Sequence, residues 1–120
     1  MEAGTFKQRV EFHKRAEESN RICRTYPNRV PVIVEPAIKC TVPIIDKNKY
    51  LVPADLTMGQ FIYVIRKRIK LESEQGLFVF VNNILPSTSA CITDVYEQYR
   101  DADGFLYVTY TGENTFGHPC

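Results

Sequence analysis

The stretch Lys49–Arg68, KYLVPADLTMGQFIYVIRKR, decides the fold. It reads as a short strand, a tight Pro/Asp corner and a capped helix. The strand Lys49-Tyr50-Leu51-Val52 is apolar on both faces and stops at Pro53, with lysines at 47 and 49. A half-buried strand alternates apolar and polar residues, and this one does not. Either both faces are buried, or one keeps apolar side chains at the surface for a partner. Thr57 and Gln60 form a capping-box pair that starts the helix. Phe61, Val64, Ile65 and Ile69 follow at helical spacing, and Arg66-Lys67-Arg68 supplies the positive charge that the helix C-terminus favours.

On the N-terminal side, Phe6 begins a short basic amphipathic segment. A helix is expected to run to about residue 25, with Phe12, Ala16, Cys23 and Tyr26 on one face and Ile22 beside it. Tyr26-Pro27 breaks it, because a residue before proline avoids helical angles. Val30-Pro31-Val32-Ile33-Val34 is a strand by its β-branched content, and Pro31 belongs at an edge or near a strand end. Residues 36–46 carry mixed signals and read as a loop or weak hairpin arm.

On the C-terminal side, residues 72–76 are a polar turn. Leu77-Phe78-Val79-Phe80-Val81 reads as a buried central strand and Asn82-Asn83 as a turn. Ser89 is expected to cap a helix over residues 90–99 with Cys91, Val95 and Tyr99 on one side. Residues 101–104 turn again, and Phe105–Tyr110 is the last strand. Residues 112–120 have no apolar period and read as a flexible tail. From residue 30 the order is β-β-α-β-α-β, that of an α+β ubiquitin-like β-grasp. The division expected is a helical extension over 1–27, a β-grasp core over 28–111 and the tail.

Composition narrows the function. The chain has 120 residues, 44% of them apolar and 24% charged, which suits one globular domain. A net charge of +1 argues against a dedicated nucleic-acid binder. Residues 1–30 nevertheless carry seven basic side chains against four acidic ones, and residues 91–120 carry one against five. That polarity suits acidic partners. Four cysteines at 23, 40, 91 and 120 have wide, irregular spacing, which points to reduced thiols in the cytosol, with those at 23, 40 and 91 packed as small apolar residues. No stretch approaches the ~20 apolar residues of a membrane span. Met1-Glu2 does not fit N-myristoylation, and Cys120 is not placed for prenylation.

Catalytic and metal chemistry is not assembled. His13 and His118 stand near opposite ends with no ligand pattern around them. Cys120 beside His118 lacks an orienting third group. The six glycines are scattered rather than gathered in a phosphate loop. Arg66-Lys67-Arg68 with Lys70 reads as a solvated helix end rather than a nucleic-acid patch.

Several stretches then carry a resemblance: Arg29-Val-Pro-Val-Ile-Val34, Lys49-Tyr-Leu-Val-Pro-Ala-Asp-Leu-Thr57, Gly59-Gln-Phe61, Ile65-Arg-Lys-Arg68, Val81-Asn-Asn83, Thr88-Ser-Ala90 and Asp103-Gly-Phe-Leu-Tyr107. The chain resembles, over about residues 5–117, the autophagy ubiquitin-like modifiers, which include GABARAP and the microtubule-associated light-chain proteins. The resemblance implies a β-grasp with two additional N-terminal helices. It implies a precursor cut by a cysteine protease between Gly117 and His118, then carried by E1-like and E2-like enzymes to an amide with phosphatidylethanolamine on Gly117. No other cofactor, no metal and no catalytic residue are implied. Glycine suits that role, since its carbonyl enters a narrow cleft unhindered. The protein would be a monomer, cytoplasmic, and peripheral on autophagosomal membranes once lipidated.

The resemblance also implies a groove for short motifs, an aromatic residue followed three positions later by an aliphatic one. The peptide would add a strand beside Lys49–Val52. Its aromatic pocket would be Glu18, Ile22, Pro31, Lys49, Leu51 and Phe105. Its aliphatic pocket would be Tyr50, Val52, Pro53, Leu56, Phe61, Val64 and Arg68. Arg29 and Lys47 would meet acidic residues flanking the motifs of autophagy receptors. Each apolar residue could instead be ordinary core, but Leu51 on one face and Tyr50 and Val52 on the other cannot all enter one core.

Three departures from the family pattern stand out. Arg9-Val10-Glu11 replaces Glu-His-Pro, which puts the junction of the first two helices in question. Asn48 stands where a third lysine is common, and residues 39–45 are more apolar than the usual acidic loop. A different class of reading is a non-conjugated peptide-binding adaptor in trafficking or on the cytoskeleton.

Overall fold

Strand β1 (Arg29–Pro36) is the axis of the molecule, buried on both faces from Val30 to Val34. In this computed structural model, which describes residues 4–37 and 42–112, antiparallel β2 (Lys49–Pro53) pairs with one side of β1. Parallel β4 (Leu106–Thr111) pairs with the other, and β3 (Phe78–Phe80) closes the sheet beyond β4 in the order β2-β1-β4-β3. A strand with neighbours on both sides and helices on both faces needs a near-continuous apolar run, which Val30–Val34 supplies.

The period-two alternation of side chains gives the sheet two separate cores. Val30, Val32 and Val34, Tyr50 and Val52, and Leu106, Val108 and Tyr110 point to one face. There they meet α3 (Met58–Ile69) through Met58, Phe61, Ile65 and Ile69, and α4 (Ile92–Tyr99) through Ile92 and Val95. Ile33 and Phe105 point to the other face, where Phe6 of α1 (Phe6–Arg9) and Ile22 of α2 (Phe12–Thr25) cover them.

The local signals explain the elements. Thr57 Oγ1 accepts the Gln60 N–H (3.2 Å) while Gln60 Oε1 accepts the Thr57 N–H (2.9 Å), the expected capping box. Arg66, Lys67 and Arg68 fill the last turn of α3, and Lys70 ends it in the left-handed region at φ 57°. Asn82 and Asn83 both take positive φ between the bridged Val81 and Ile84, the tight turn that the Asn pair signals.

Some expectations are corrected. The two N-terminal helices that the resemblance implies are both present, separated where Val10 is extended and Glu11 takes the N-cap position of α2, but the face that α2 buries is not the one expected. The buried face of α2 is Arg15, Ser19 and Ile22, whereas Phe12, Cys23 and Tyr26 are exposed. Two polar residues lie on that face because partners on the β4 side satisfy them, so hydrophobic spacing points elsewhere. Cys23 therefore does not pack as an apolar residue; Cys91 is half-buried, and Cys40 and Cys120 lie outside the described residues.

Strand β3 is an edge rather than central, because β4 inserts between it and β1. Nor does Ser89 cap a helix. Cys91 is held extended by its bridge to Thr57, with Met58 N–H donating to Ala90 C=O and Ile92 N–H to Leu56 C=O (both 2.8 Å), so α4 starts after Cys91 with no side-chain cap. Strand β1 runs on to Pro36, two residues beyond the run read from sequence.

Candidate functional site

The open side of β2 follows from its register. Val34 N–H donates to Asn48 C=O (2.7 Å) and Ala54 N–H to Asn28 C=O (2.9 Å), at the two ends of the β1–β2 pairing. Hydrogen-bonded pairs alternate in an antiparallel ladder. With Val32 opposite Tyr50 and Val30 opposite Val52, those two are the bonded pairs between them. Lys49 and Leu51 are then the residues whose N–H and C=O turn outward, to a side where β2 has no neighbouring strand among the described residues. Pro31 lies opposite Leu51, in a pair without ladder bonds, and β4 begins its pairing only at Val32. A proline near the start of a central strand therefore leaves no ladder bond unmade.

The β2 side chains flank this open edge on two faces. On one, Leu51 is half-buried against Phe6, Ile22, Ile33 and Phe105. Lys49 reaches across to Glu18 of α2 in an ion pair, with Nζ 5.5 Å from the Phe6 ring centroid. The structure thus brings together the residues expected of the aromatic pocket. Ile22 and Phe105, both buried, would be the floor of that expected pocket, half-buried Leu51 its wall and the Lys49–Glu18 pair its cover; Pro31 is buried opposite Leu51. Phe6, which the sequence reading did not assign, packs edge-on against Phe105 at 5.6 Å and donates its backbone N–H to Glu35 Oε2 (2.7 Å). Its signal was faint, one aromatic in a four-residue helix.

On the other face, Tyr50, Val52 and Phe61 are core residues, with Tyr50 edge-on to Phe61 at 5.9 Å. Pro53 and Leu56 are half-buried, and Val64 is 41% exposed. The expected aliphatic pocket therefore divides into a core floor and an accessible rim. Arg68 completes that rim, donating from Nε to Asp46 Oδ1 at 2.8 Å. This bond holds the Asp46 carboxyl below its usual value and raises Arg68. Burial pushes the Tyr50 hydroxyl up.

Two basic residues expected to await acidic partners are already engaged. Arg29 Nη1 donates to the Leu51 carbonyl at 3.1 Å, one of the outward-turned groups of β2. Lys47 Nζ stands 5.1 Å from the Tyr50 ring centroid.

A further network holds α2, which supplies Glu18 and Ile22. Asp103 accepts from Arg15 Nε (2.8 Å), the Tyr107 hydroxyl (2.6 Å) and the Phe105 N–H (2.8 Å), and its carbonyl accepts from Ser19 Oγ. One buried carboxylate thus fixes both α2 and the Phe105 floor.

Among the described residues no cluster of His, Cys, Asp and Glu could hold a metal, and no helix is long and apolar enough to cross a membrane. Gly117 and His118 lie outside the described residues.

Residues 14–117 match the family model described as autophagy protein Atg8, ubiquitin-like. The chain is 61% identical over 112 residues to autophagy-related protein 8e of Arabidopsis thaliana, covering 93% of this chain and 92% of that one. It is 59% identical over 113 residues to autophagy-related protein 8 of Saccharomyces cerevisiae, covering 94% and 97%. The crystal structure of Trypanosoma brucei ATG8 superposes with a TM-score of 0.88 at 40% identity, covering 97% of this chain and all of that one. Plasmodium falciparum Atg8, solved with a peptide of Atg3, superposes at 0.85 with 38% identity, covering 92% and 97%. The fold is therefore ubiquitin-like, and the chain belongs to the Atg8 family of autophagy proteins.

Proposed function

We propose that this protein is a ubiquitin-like modifier, cut after Gly117 and joined there to phosphatidylethanolamine, that holds short-motif receptors on autophagosomal membranes. It is the substrate of a cysteine protease and of E1-like and E2-like enzymes, not an enzyme itself. It works as a cytoplasmic monomer until lipidated.

The observation that carries the reading is the open β2 edge. Lys49 and Leu51 turn their backbone groups outward between an aromatic-lined face and an aliphatic-lined one. An extended peptide can add there as a strand, its main chain supplying affinity and alternate side chains supplying specificity. The relative solved with an Atg3 peptide supports peptide docking by this family. The family match that ends at Gly117 supports that glycine as the conjugated residue. Two acyl chains anchor a protein stably where one does not, so a diacyl lipid suits a chain whose described residues hold no spanning helix.

The test is reconstitution with the family's protease and conjugating enzymes, followed by mass determination. Loss of residues 118–120 and then gain of the lipid mass is expected. A Gly117→Ala variant that is lipidated as well as the unaltered protein would overturn the reading.

A further inference from the structure

The three departures from the family pattern meet in one recess of about 410 Å³, between α1 and the end of β1. Arg9, Ile44, Ile45 and Asn48 line it, with Glu35 and Pro36 of β1. Where the pattern has a glutamate and an acidic loop, this chain has a guanidinium and two isoleucines. Ile44 is 67% exposed at the rim, while Ile45 is buried. Arg9 donates from Nε to the Gly4 carbonyl (3.3 Å) and makes no ion pair among the described residues. With Asn48 in place of a lysine, it is the one cation of the lining among those residues. Glu35, the acid of the lining, already accepts the Phe6 N–H (2.7 Å). An apolar recess with an unpaired guanidinium beside it suits a ligand that is apolar and ends in a carboxylate.

The chain's own C-terminal segment starts beside this recess. The described residues end at Gly112, where a Cβ would come within 2.9 Å of the Val42 side chain. The Tyr110 hydroxyl donates to the Pro43 carbonyl (2.9 Å) and accepts from the Ile45 N–H (2.8 Å), so the end of β4 is tied to the lining itself. Pro36 and Val34, both in the lining, pair with Tyr110 and Val108, two and four positions before Gly112. At about 3.3 Å per residue and about 5 Å between strands, they lie roughly 8–14 Å from it. Residues 113–117 span up to about 17 Å, and they end in Phe116 and Gly117.

We propose that this recess is a latch for the cut C-terminus: Phe116 seats against Pro36, Ile44 and Ile45, and the carboxylate of Gly117 pairs with Arg9. This rests on the reading that the chain is cut after Gly117, and it adds a control on that same residue. Hydrolysis of the peptide bond between Gly117 and His118 leaves a carboxylate on Gly117. In the precursor, and again in the lipid amide, the same carbonyl carries no charge. The latch therefore favours the cut form. It holds Gly117 back until the conjugating enzymes compete for the tail, and it lets go once the amide has formed. An exposed ion pair contributes little by itself, so the latch is weak and reversible.

The test compares by NMR the full chain with one expressed to end at Gly117, which keeps every described residue. Cross-peaks from the Phe116 ring to the Ile44 and Ile45 methyls, and a shifted Arg9 Nε–H signal, are expected in the shorter chain. In the full chain the ratio of docked to free tail should be about threefold lower. Arg9→Gln should lower it equally in the shorter chain and leave the full chain unchanged. Ile44→Asp and Phe116→Ala should abolish the cross-peaks, and since Ile44 is exposed its variant is expected to fold. Equal contacts in the two chains, or none in either, overturn the proposal. So do contacts that strengthen with protein concentration, which give the recess to a second copy's tail. Signals of Ile44 and Arg9 that move only with anionic vesicles give it to a lipid surface, and overturn the proposal too. Because the shorter chain is expressed as such, the two claims fail separately. A latch in that chain beside a precursor left uncut on reconstitution sinks the processing reading, and a cut, lipidated chain without these contacts sinks the latch.

Discussion

Arg15 Nε lies 2.8 Å from Asp103 Oδ2, with the Asp103 side chain fully out of solvent and that of Arg15 only 9% exposed. The contact joins residues 88 positions apart and fastens α2 to the turn before β4. Asp103→Ala would leave the Arg15 Nε–H, the Tyr107 hydroxyl and the Phe105 N–H without their acceptor, the Arg15 Nη1 keeping the Val10 carbonyl. Breaking a buried pair from one side is costly, so a loss of about 3 kcal/mol is expected in denaturant unfolding. Replacing both partners by leucine should cost less than the sum of the single changes, because no lone charge then stays buried.

The neighbouring Gly104 is constrained twice. Its φ is +92°, and a Cβ there would collide with Ser19 Oγ, which bonds the Asp103 carbonyl. Gly104→Ala should therefore destabilise the protein by about 1–3 kcal/mol. Combining it with Ser19→Ala should recover part of the loss, since the collision is eased while the backbone strain remains. Thermal unfolding of the three variants checks this.

The same region makes stability sensitive to alkali. Burial, and then the hydrogen-bonded Cys23, push the Tyr96 hydroxyl from its ordinary 10.0 up to about 12. Burial, and then the Asp103 carboxylate, push the Tyr107 hydroxyl up as well. A raised folded-state value favours the neutral phenol in the fold. The contribution is complete below 10.0 and, for Tyr96, is lost as pH rises toward about 12. Tyrosinate absorbance and stability measured together across that window should change in step, and Tyr96→Phe should flatten the decline. On the acid side the sign reverses. Asp46, held low by Arg68, contributes above the ordinary carboxylate range, and that contribution is lost as pH falls through its depressed value. Asp46→Asn should remove this small part of the acid transition.

The register of β2 makes a separate prediction. Leu51 presents its side chain to the aromatic face and its backbone to the open edge, while Tyr50 gives both its backbone bonds to Val32. Leu51→Ala should weaken an aromatic-x-x-leucine peptide about tenfold. Its effect on folding should be smaller than that of Val52→Ala, since Leu51 is only half-buried and Val52 is 3% exposed. Calorimetric titration alongside denaturant unfolding separates the two effects. Unchanged peptide affinity for Leu51→Ala would mean that the strand edge is not the docking rail.

Much of the fold was legible because local chemistry and tertiary demand agree. The Thr57/Gln60 box, the Asn82-Asn83 turn and the basic end of α3 act within a few residues, so the sequence carries them directly. The apolar face Phe61, Ile65 and Ile69 followed from helical period alone, and Val64 fell on the same spacing yet stayed exposed. The face of α2 was not legible. Arg15 and Ser19 are inside because Asp103 and its carbonyl meet them there, and no pattern within residues 12–25 reports a partner so distant in sequence.

What the sequence by itself determined is that Lys49–Val52 has apolar residues on both faces and that a helix follows it at once. What only the tertiary structure decided is where those faces go. Strand β4 entered beside β1 and made β3 an edge, leaving β2 the opposite edge with helices on each face. Tyr50 and Val52 then entered one core and Leu51 the other, and Lys49 found Glu18. The physical reason is range. Capping, turns and period are energies of neighbours along the chain, whereas strand order and ion pairing across α2 and β2 exist only once distant segments are packed together.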